Sequence, residues 1–227
     1  MRNLKLVLPC LFFILYASSG FAQTYKKKAG KAGVSVGFGL SSLTVENSNW
    51  NKQPINYKDT LNSISSKSSF MLNLGFNYSV KISSKIEFLP TFYLSITDCG
   101  KLSYNKKDNT SEEINFEASS LCLNAPFLYK IGNKHIKPYI VAGPTFLHTL
   151  NQKEETKEKF RLFNVDILGT AGIGVEIPAK SVIIKPQITF SKGLVNLKPD
   201  NISGFYSNPI AALHRQNICL SVYFTDK

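Results

Sequence analysis

From Ser69 to Val80 the chain alternates with a strict period of two: Phe70, Leu72, Leu74, Phe76, Tyr78 and Val80 are interleaved with Ser69, Met71, Asn73, Gly75, Asn77 and Ser79. A helix would scatter those apolar positions around its axis, whereas a strand places them on one face. The stretch is therefore a strand with one greasy face and one small or polar face, Met71 excepted. The same code appears at Val34, Val36, Phe38 and Leu40, at Ile86, Phe88, Phe92, Leu94 and Ile96, and at Leu121, Leu123, Ala125, Phe127 and Tyr129. It returns at Ile140, Ala142 and Phe146, at Ile167, Ala171, Ile173, Val175 and Ile177, at Ile184, Ile188 and Phe190, and at Ile218, Leu220, Val222 and Phe224. This makes eight expected strands.

The connections alternate in length. Lys81–Lys85, Gly132–His135 and Pro178–Ser181 are hairpin turns. The stretches Glu46–Ser66, Thr97–Glu113, Asn151–Phe163 and Asn196–His214 are long and read as polar loops. Short turns at one rim and long loops at the other fit an eight-stranded antiparallel up-and-down transmembrane β-barrel, with turns and both termini on the periplasmic side. A secreted lipocalin-like barrel would turn the greasy face inward around a ligand. Its water face would then carry Gly37, Gly39, Gly75, Gly172 and Gly174 with few charges, so the greasy face is assigned to lipid and the small residues to a narrow interior.

That assignment sends Glu87, Tyr93, Lys130, Asp166, Glu176, Lys185, Gln187, Asn217 and Tyr223 into the lumen. Charges of both signs in a low-dielectric interior need partners, so a paired polar plug without an open pore is expected, centred on Glu87, Lys130, Asp166, Glu176, Lys185 and Gln187. Tyr78, Tyr129 and Phe224 near strand ends suit the lipid–water interfaces. Prolines are the awkward residues, because Pro90, Pro126, Pro138, Pro144 and Pro186 interrupt ladders to which they cannot donate. Four lie near short turns, where water at the rim can replace the bond, and Pro144, deeper, calls for a bulge. A phase break between Phe116-Glu117-Ala118 and Leu121 calls for another near the outer rim.

The first residues read as an export signal. Arg2 and Lys5 precede the apolar run Leu6–Tyr16, and Gly20-Phe21-Ala22 offers a small-x-small cleavage site. The run is too short for a membrane helix. The expected organisation is a signal peptide over 1–22, a lysine-rich lead-in over 23–32 and the barrel over 33–227. Lys and Arg total 27 against 15 acidic residues, a net charge of +12, which becomes +10 without Arg2 and Lys5. Export and the scattering of lysines through turns argue against nucleic acid. After cleavage Cys99, Cys122 and Cys219 remain, an odd count with neither a disulfide framework nor zinc spacing.

The stretch Leu121-Cys-Leu-Asn-Ala-Pro-Phe-Leu-Tyr-Lys130, followed by Lys137-Pro-Tyr-Ile-Val-Ala-Gly-Pro144, resembles the outer-membrane β-barrel family widespread in Bacteroidetes and often labelled PorT-like. The resemblance extends through Asp166–Glu176, Phe190–Asn196 and Asn217–Phe224, and Thr225-Asp226-Lys227 departs from the usual aromatic end. It implies an outer-membrane location and, in the namesake members, a part in type IX protein secretion.

No catalytic, cofactor or metal motif is expected. His148 and His214, with Ser203 or Ser207, are the best candidates for a hydrolytic cluster, but no spacing fixes a nucleophile–base pair. Gly172-Ile173-Gly174 and Gly37-Phe38-Gly39 open no helix and precede no phosphate-binding lysine, so close strand packing accounts for them. A surface contact loop is expected around Trp50 and Tyr57. Expected partners are outer-membrane lipid and lipopolysaccharide, the barrel-assembly machinery, and secretion-system or surface proteins. The function expected is a non-enzymatic structural or binding role at the cell surface.

Overall fold

The computed structural model describes residues 30–48, 61–132, 135–151, 162–199 and 205–227. The export signal, most of the lead-in, and Trp50 and Tyr57 lie outside them. Numbered in chain order, the strands are β1 (Lys31–Asn47), β2 (Leu61–Lys67), β3 (Ser69–Lys81), β4 (Ile86–Phe88), β5 (Thr91–Asp98), β6 (Lys101–Lys106), β7 (Ser111–Asn115), β8 (Ala118–Asn124), β9 (Phe127–Lys130), β10 (Lys137–Asn151), β11 (Val165–Pro178), β12 (Val182–Gly193) and β13 (Ile210–Asp226).

Ten of these close into an antiparallel ring. β1 pairs with β13 on one side and β3 on the other, and the order from β13 runs through β12, β11, β10, β8, β5 and β3. β4 continues β5 and β9 continues β8, so the ten segments are eight members, two of them broken. These eight are the strands given by the alternation. The register lines up the greasy positions of neighbours: Phe38 faces Leu220 and Leu72, Val36 faces Val222 and Leu74, and Ile173 faces Ile140 and Ile188. All but Leu72 and Val222, which are half-buried, are exposed on the outside, as are Phe70, Phe92, Phe127 and Phe190; Phe76, the extreme, is 71% exposed. The inside holds small residues, charges and hydroxyls together with a few buried apolar side chains such as Leu128, Val141 and Leu168, and the outer face is the continuous apolar one, so the ring is inverted relative to a water-soluble barrel.

Prolines mark the two broken members. Pro90 separates β4 from β5, and Pro126 separates β8 from β9. Each keeps its acceptor role: Tyr78 N–H donates to Pro90 O at 2.9 Å and Leu89 N–H to Pro126 O at 3.0 Å. Pro144 needs no bulge of its own. It stays in register opposite Gly169, and its carbonyl accepts from Ala125 N–H at 2.9 Å. Its missing donor therefore faces Ala125 at the gap between β8 and β9, where the facing strand is already interrupted. Pro126 itself is buried, so a missing partner at the break, rather than water at the rim, accommodates it. The phase break at Ala118 is present as a register shift between β5 and β8 opposite Ser95–Asp98.

The long connections are not simply polar loops. β2, β6 and β7 form a separate three-stranded sheet over the long-loop rim. β6 and β7 join through an Asx turn: Asp108 Oδ1 accepts from Thr110 N–H at 3.0 Å, and Asn109 takes the left-handed conformation at φ 64°. The chain returns to this sheet, into β6, at Gly100, φ 75°, where an added Cβ would lie 2.7 Å from the Lys67 carbonyl oxygen.

Candidate functional site

The interior is layered from the short-turn rim to the long-loop rim. Nearest the turns, consecutive members of the ring aim charges inward: Glu87 from β4, Lys130 from β9, Lys137 from β10, Glu176 from β11 and Lys185 from β12. Lys130 Nζ lies 2.6 Å from Glu87 Oε2 and 2.5 Å from Glu176 Oε2. Lys185 pairs with Glu87 on its other oxygen, which also accepts from Ser79 Oγ at 2.6 Å. Lys137, at the rim, reaches Glu176 at 3.4 Å. Four of the charges are buried and balance one another, which is the condition under which ions persist in a low-dielectric interior.

Above them Leu89, Leu128, Tyr139, Val141 and Tyr223 form an apolar layer. Gln187 stitches it across: Tyr139 Oη donates to Gln187 Oε1 at 3.2 Å, and Gln187 Nε2 donates to Tyr223 Oη at 3.2 Å. Tyr139 packs against Gly174, where a Cβ would sit 2.5 Å from the end of its ring. At mid-height is a cavity of about 30 Å³ lined by Asn73, Tyr93, Asn124, Thr145, Asn217 and Cys219, space for one or two waters. Higher still, Cys122, Leu147 and Leu168 pack with Tyr93, and Arg215 faces Asp166 at 3.6 Å, both almost wholly buried.

Of the expected plug, Glu87, Lys130, Glu176 and Lys185 come together, Gln187 sits one layer above, and Asp166 belongs to a second pair with Arg215 at the opposite end. Arg215 was not among the expected lumen residues. Its phase on β13 with Asn217 and Tyr223 was the available signal. Cys99, Cys122 and Cys219 are buried thiols in three separate surroundings.

The sheet of β2, β6 and β7 has a core of its own at the long-loop end. Leu61, Leu102, Tyr104, Ile114 and Phe116 pack on Leu43 and Leu213 at the upper ends of β1 and β13, joined by Leu162, Leu197 and Ile210. Tyr104 Oη donates to the Tyr206 carbonyl at 2.6 Å, and Tyr206 Oη donates to Glu112 Oε1 at 2.6 Å. The bond to the Glu112 carboxylate pushes the Tyr206 hydroxyl up to about 12, and burial pushes Tyr104 up further. A raised folded value means these hydroxyls stabilise the cap fully below the ordinary tyrosine value of 10, and that the Tyr206 contribution is lost as pH climbs from about 10 through 12, that of Tyr104 persisting to higher pH. Raising the pH over that window should expose the cap to protease while the ring stays closed, and Tyr206→Phe should lower cap protection at neutral pH and flatten the alkaline step. Limited proteolysis beside tyrosinate absorbance reads both; an unchanged alkaline step in the variant would count against this network.

The structure does not bring the two outer histidines together. His148 stands on β10 opposite Leu121 and Val165, and His214 on β13 opposite Thr44, with its Nε2 3.8 Å from Glu46 Oε1. β11 and β12 separate their strands, about 14 Å at ordinary strand spacing. Ser207 is buried, His135 is exposed at a short turn, and Ser203 lies outside the described residues.

No family model matches the chain, and no curated protein matches it. The resemblance of Leu121–Lys130 and Lys137–Pro144 to PorT-like barrels thus stands on those motifs alone. Among solved structures, the chain is similar to Neisserial surface protein A (11% identity, TM-score 0.44, covering 85% of this chain and 95% of that one). It is also similar to the outer membrane protein OprG of Pseudomonas aeruginosa (12%, 0.42, 88% and 94%). A third is Ail, the attachment invasion locus protein of Yersinia pestis, solved with the heparin analogue sucrose octasulfate (10%, 0.38, 87% and 99%).

Proposed function

We propose that the chain is a small outer-membrane β-barrel with a sealed lumen, non-enzymatic, that holds its capped long-loop end at the cell surface for a structural or binding role. The observation that carries this reading is the inversion of the ring: a continuous belt of exposed Val, Ile, Leu and Phe outside, ion pairs and hydroxyls inside. In water that belt would be an apolar patch far larger than soluble monomers tolerate. In hydrocarbon, a closed ring leaves no strand edge unpaired. Each ring member, its break included, has at least the nine to eleven residues a tilted membrane strand requires. An export signal supplies the route, and short turns then face the periplasm. Outer-membrane lipid and lipopolysaccharide surround the belt, the barrel-assembly machinery inserts it, and any secretion or surface protein docks on the cap.

Reconstitution tests the reading. The mature chain should require detergent or lipid to remain folded and monomeric, and should leave a planar bilayer at its baseline conductance. A folded monomer in plain buffer would overturn the membrane assignment; a large, steady conductance would overturn the sealed lumen alone.

A further inference from the structure

The two rims differ in charge. Around the short-turn rim stand Lys31, Lys81, Lys85 and Lys180, none engaged in an ion pair among the described residues, with Lys137 beside them. The sole exposed acid described there, Asp226, is offset by its neighbour Lys227. At the long-loop rim lysines and acids intermix, and Lys67, Lys101 and Lys106 are paired to Glu113, Glu117 and Glu112. The lysines of the short-turn rim are interleaved with exposed apolar side chains: Ile82 lies between Lys81 and Lys85, Ile136 precedes Lys137, and Ile131, Tyr78 and Tyr129 stand close by at the same level.

We propose that this rim is a collar for anionic phospholipid headgroups of the leaflet it faces, its lysines binding headgroup phosphates while the isoleucines and tyrosines enter the acyl boundary. The proposal rests on the outer-membrane reading. Lipid, rather than an acidic protein, is favoured by the interleaving. A lysine flanked by outward isoleucines extends its ammonium to the headgroup while its stem and neighbours stay in the apolar layer, whereas a soluble acidic partner would cover the lysines and leave the isoleucines wet. Each lysine at an anionic surface is worth about fivefold in affinity.

The mature chain is reconstituted in vesicles of equal phosphatidylcholine and phosphatidylglycerol, and spin-labelled forms of each lipid report the fraction held at the protein. Phosphatidylglycerol should be preferred about fivefold, and the preference should fall to parity in 1 M salt, where screening acts within about 3 Å. The variant Lys31→Gln/Lys81→Gln/Lys85→Gln/Lys180→Gln, which leaves only the Glu176-paired Lys137 of the collar, should insert as well as the parent and show no preference. A preference that survives in that variant, or that resists salt, overturns the collar while leaving the membrane reading intact. Binding of soluble polyglutamate tighter than that of phosphatidylglycerol, and unchanged when Ile82→Ser and Ile136→Ser are introduced, would reassign the rim to an acidic protein and equally overturn it. A chain that enters neither neutral nor anionic vesicles overturns both readings.

Discussion

Replacing Glu87 with glutamine should destabilise the barrel by about 3–5 kcal/mol, the range for removing one partner of a buried ion pair. Glutamine keeps the shape and one acceptor but removes the charge that serves both Lys130 and Lys185. Glu176 alone would then face two buried ammonium groups, with Lys185 4.0 Å away. Adding Lys185→Met removes the second ion with its partner and should restore most of the loss, because the cost lies in the stranded cation and not in the absence of a pair. Urea unfolding in detergent micelles measures both variants. A loss below about 1 kcal/mol for Glu87→Gln would put the cluster in the class of solvent-exposed pairs and refute the sealed, low-dielectric interior.

A charge on the outside should act as strongly, for the opposite reason. Ile173 stands in the middle of β11, 65% exposed, between Ile140 and Ile188. Ile173→Arg should cost about 2–4 kcal/mol in a bilayer, the penalty for a cation on the lipid face near the midplane. A soluble protein would accept arginine at so exposed a position within about 0.5 kcal/mol. Folding yield and urea midpoint in vesicles, against a Lys192→Arg control at the exposed end of β12, separate the two cases. Tolerance of arginine at Ile173 would return the ring to water and turn its belt into a surface for some other apolar partner.

Both predictions rest on face assignment, the part of this fold most legible in the sequence. Phe70 to Val80 and Val34 to Leu40 repeat with period two because the strand itself does, and a uniform apolar face selects the same kind of residue at every second position. No long-range information is needed to read that. The cap was not legible in the same way. Leu102 and Tyr104 alternate with polar residues, as do Ile114 and Phe116, on either side of the Asp108-Asn109 turn, and this hairpin signal sat inside a stretch dominated by Lys, Asn and Glu. Its hairpin carries only Leu102, Tyr104, Ile114 and Phe116 as apolar residues, and Leu61, Leu43 and Leu213 complete their core only when segments far apart in sequence converge. Pro144 was misread for a related reason: proline is tolerable where the facing strand is broken, and the break lies at Pro126, on another strand.

The sequence by itself therefore determined the ring: eight members, short and long connections in alternation, greasy residues out, and an interior holding both signs of charge. Tertiary structure alone decided which charges meet. Glu87, Lys130, Glu176 and Lys185 sit near the ends of different strands, and only strand register and closure of the ring bring them within ion-pair distance, while Asp166 is carried to the far end to meet Arg215. Periodicity is a local property of the backbone, but partnership in a closed sheet depends on register summed around the whole barrel.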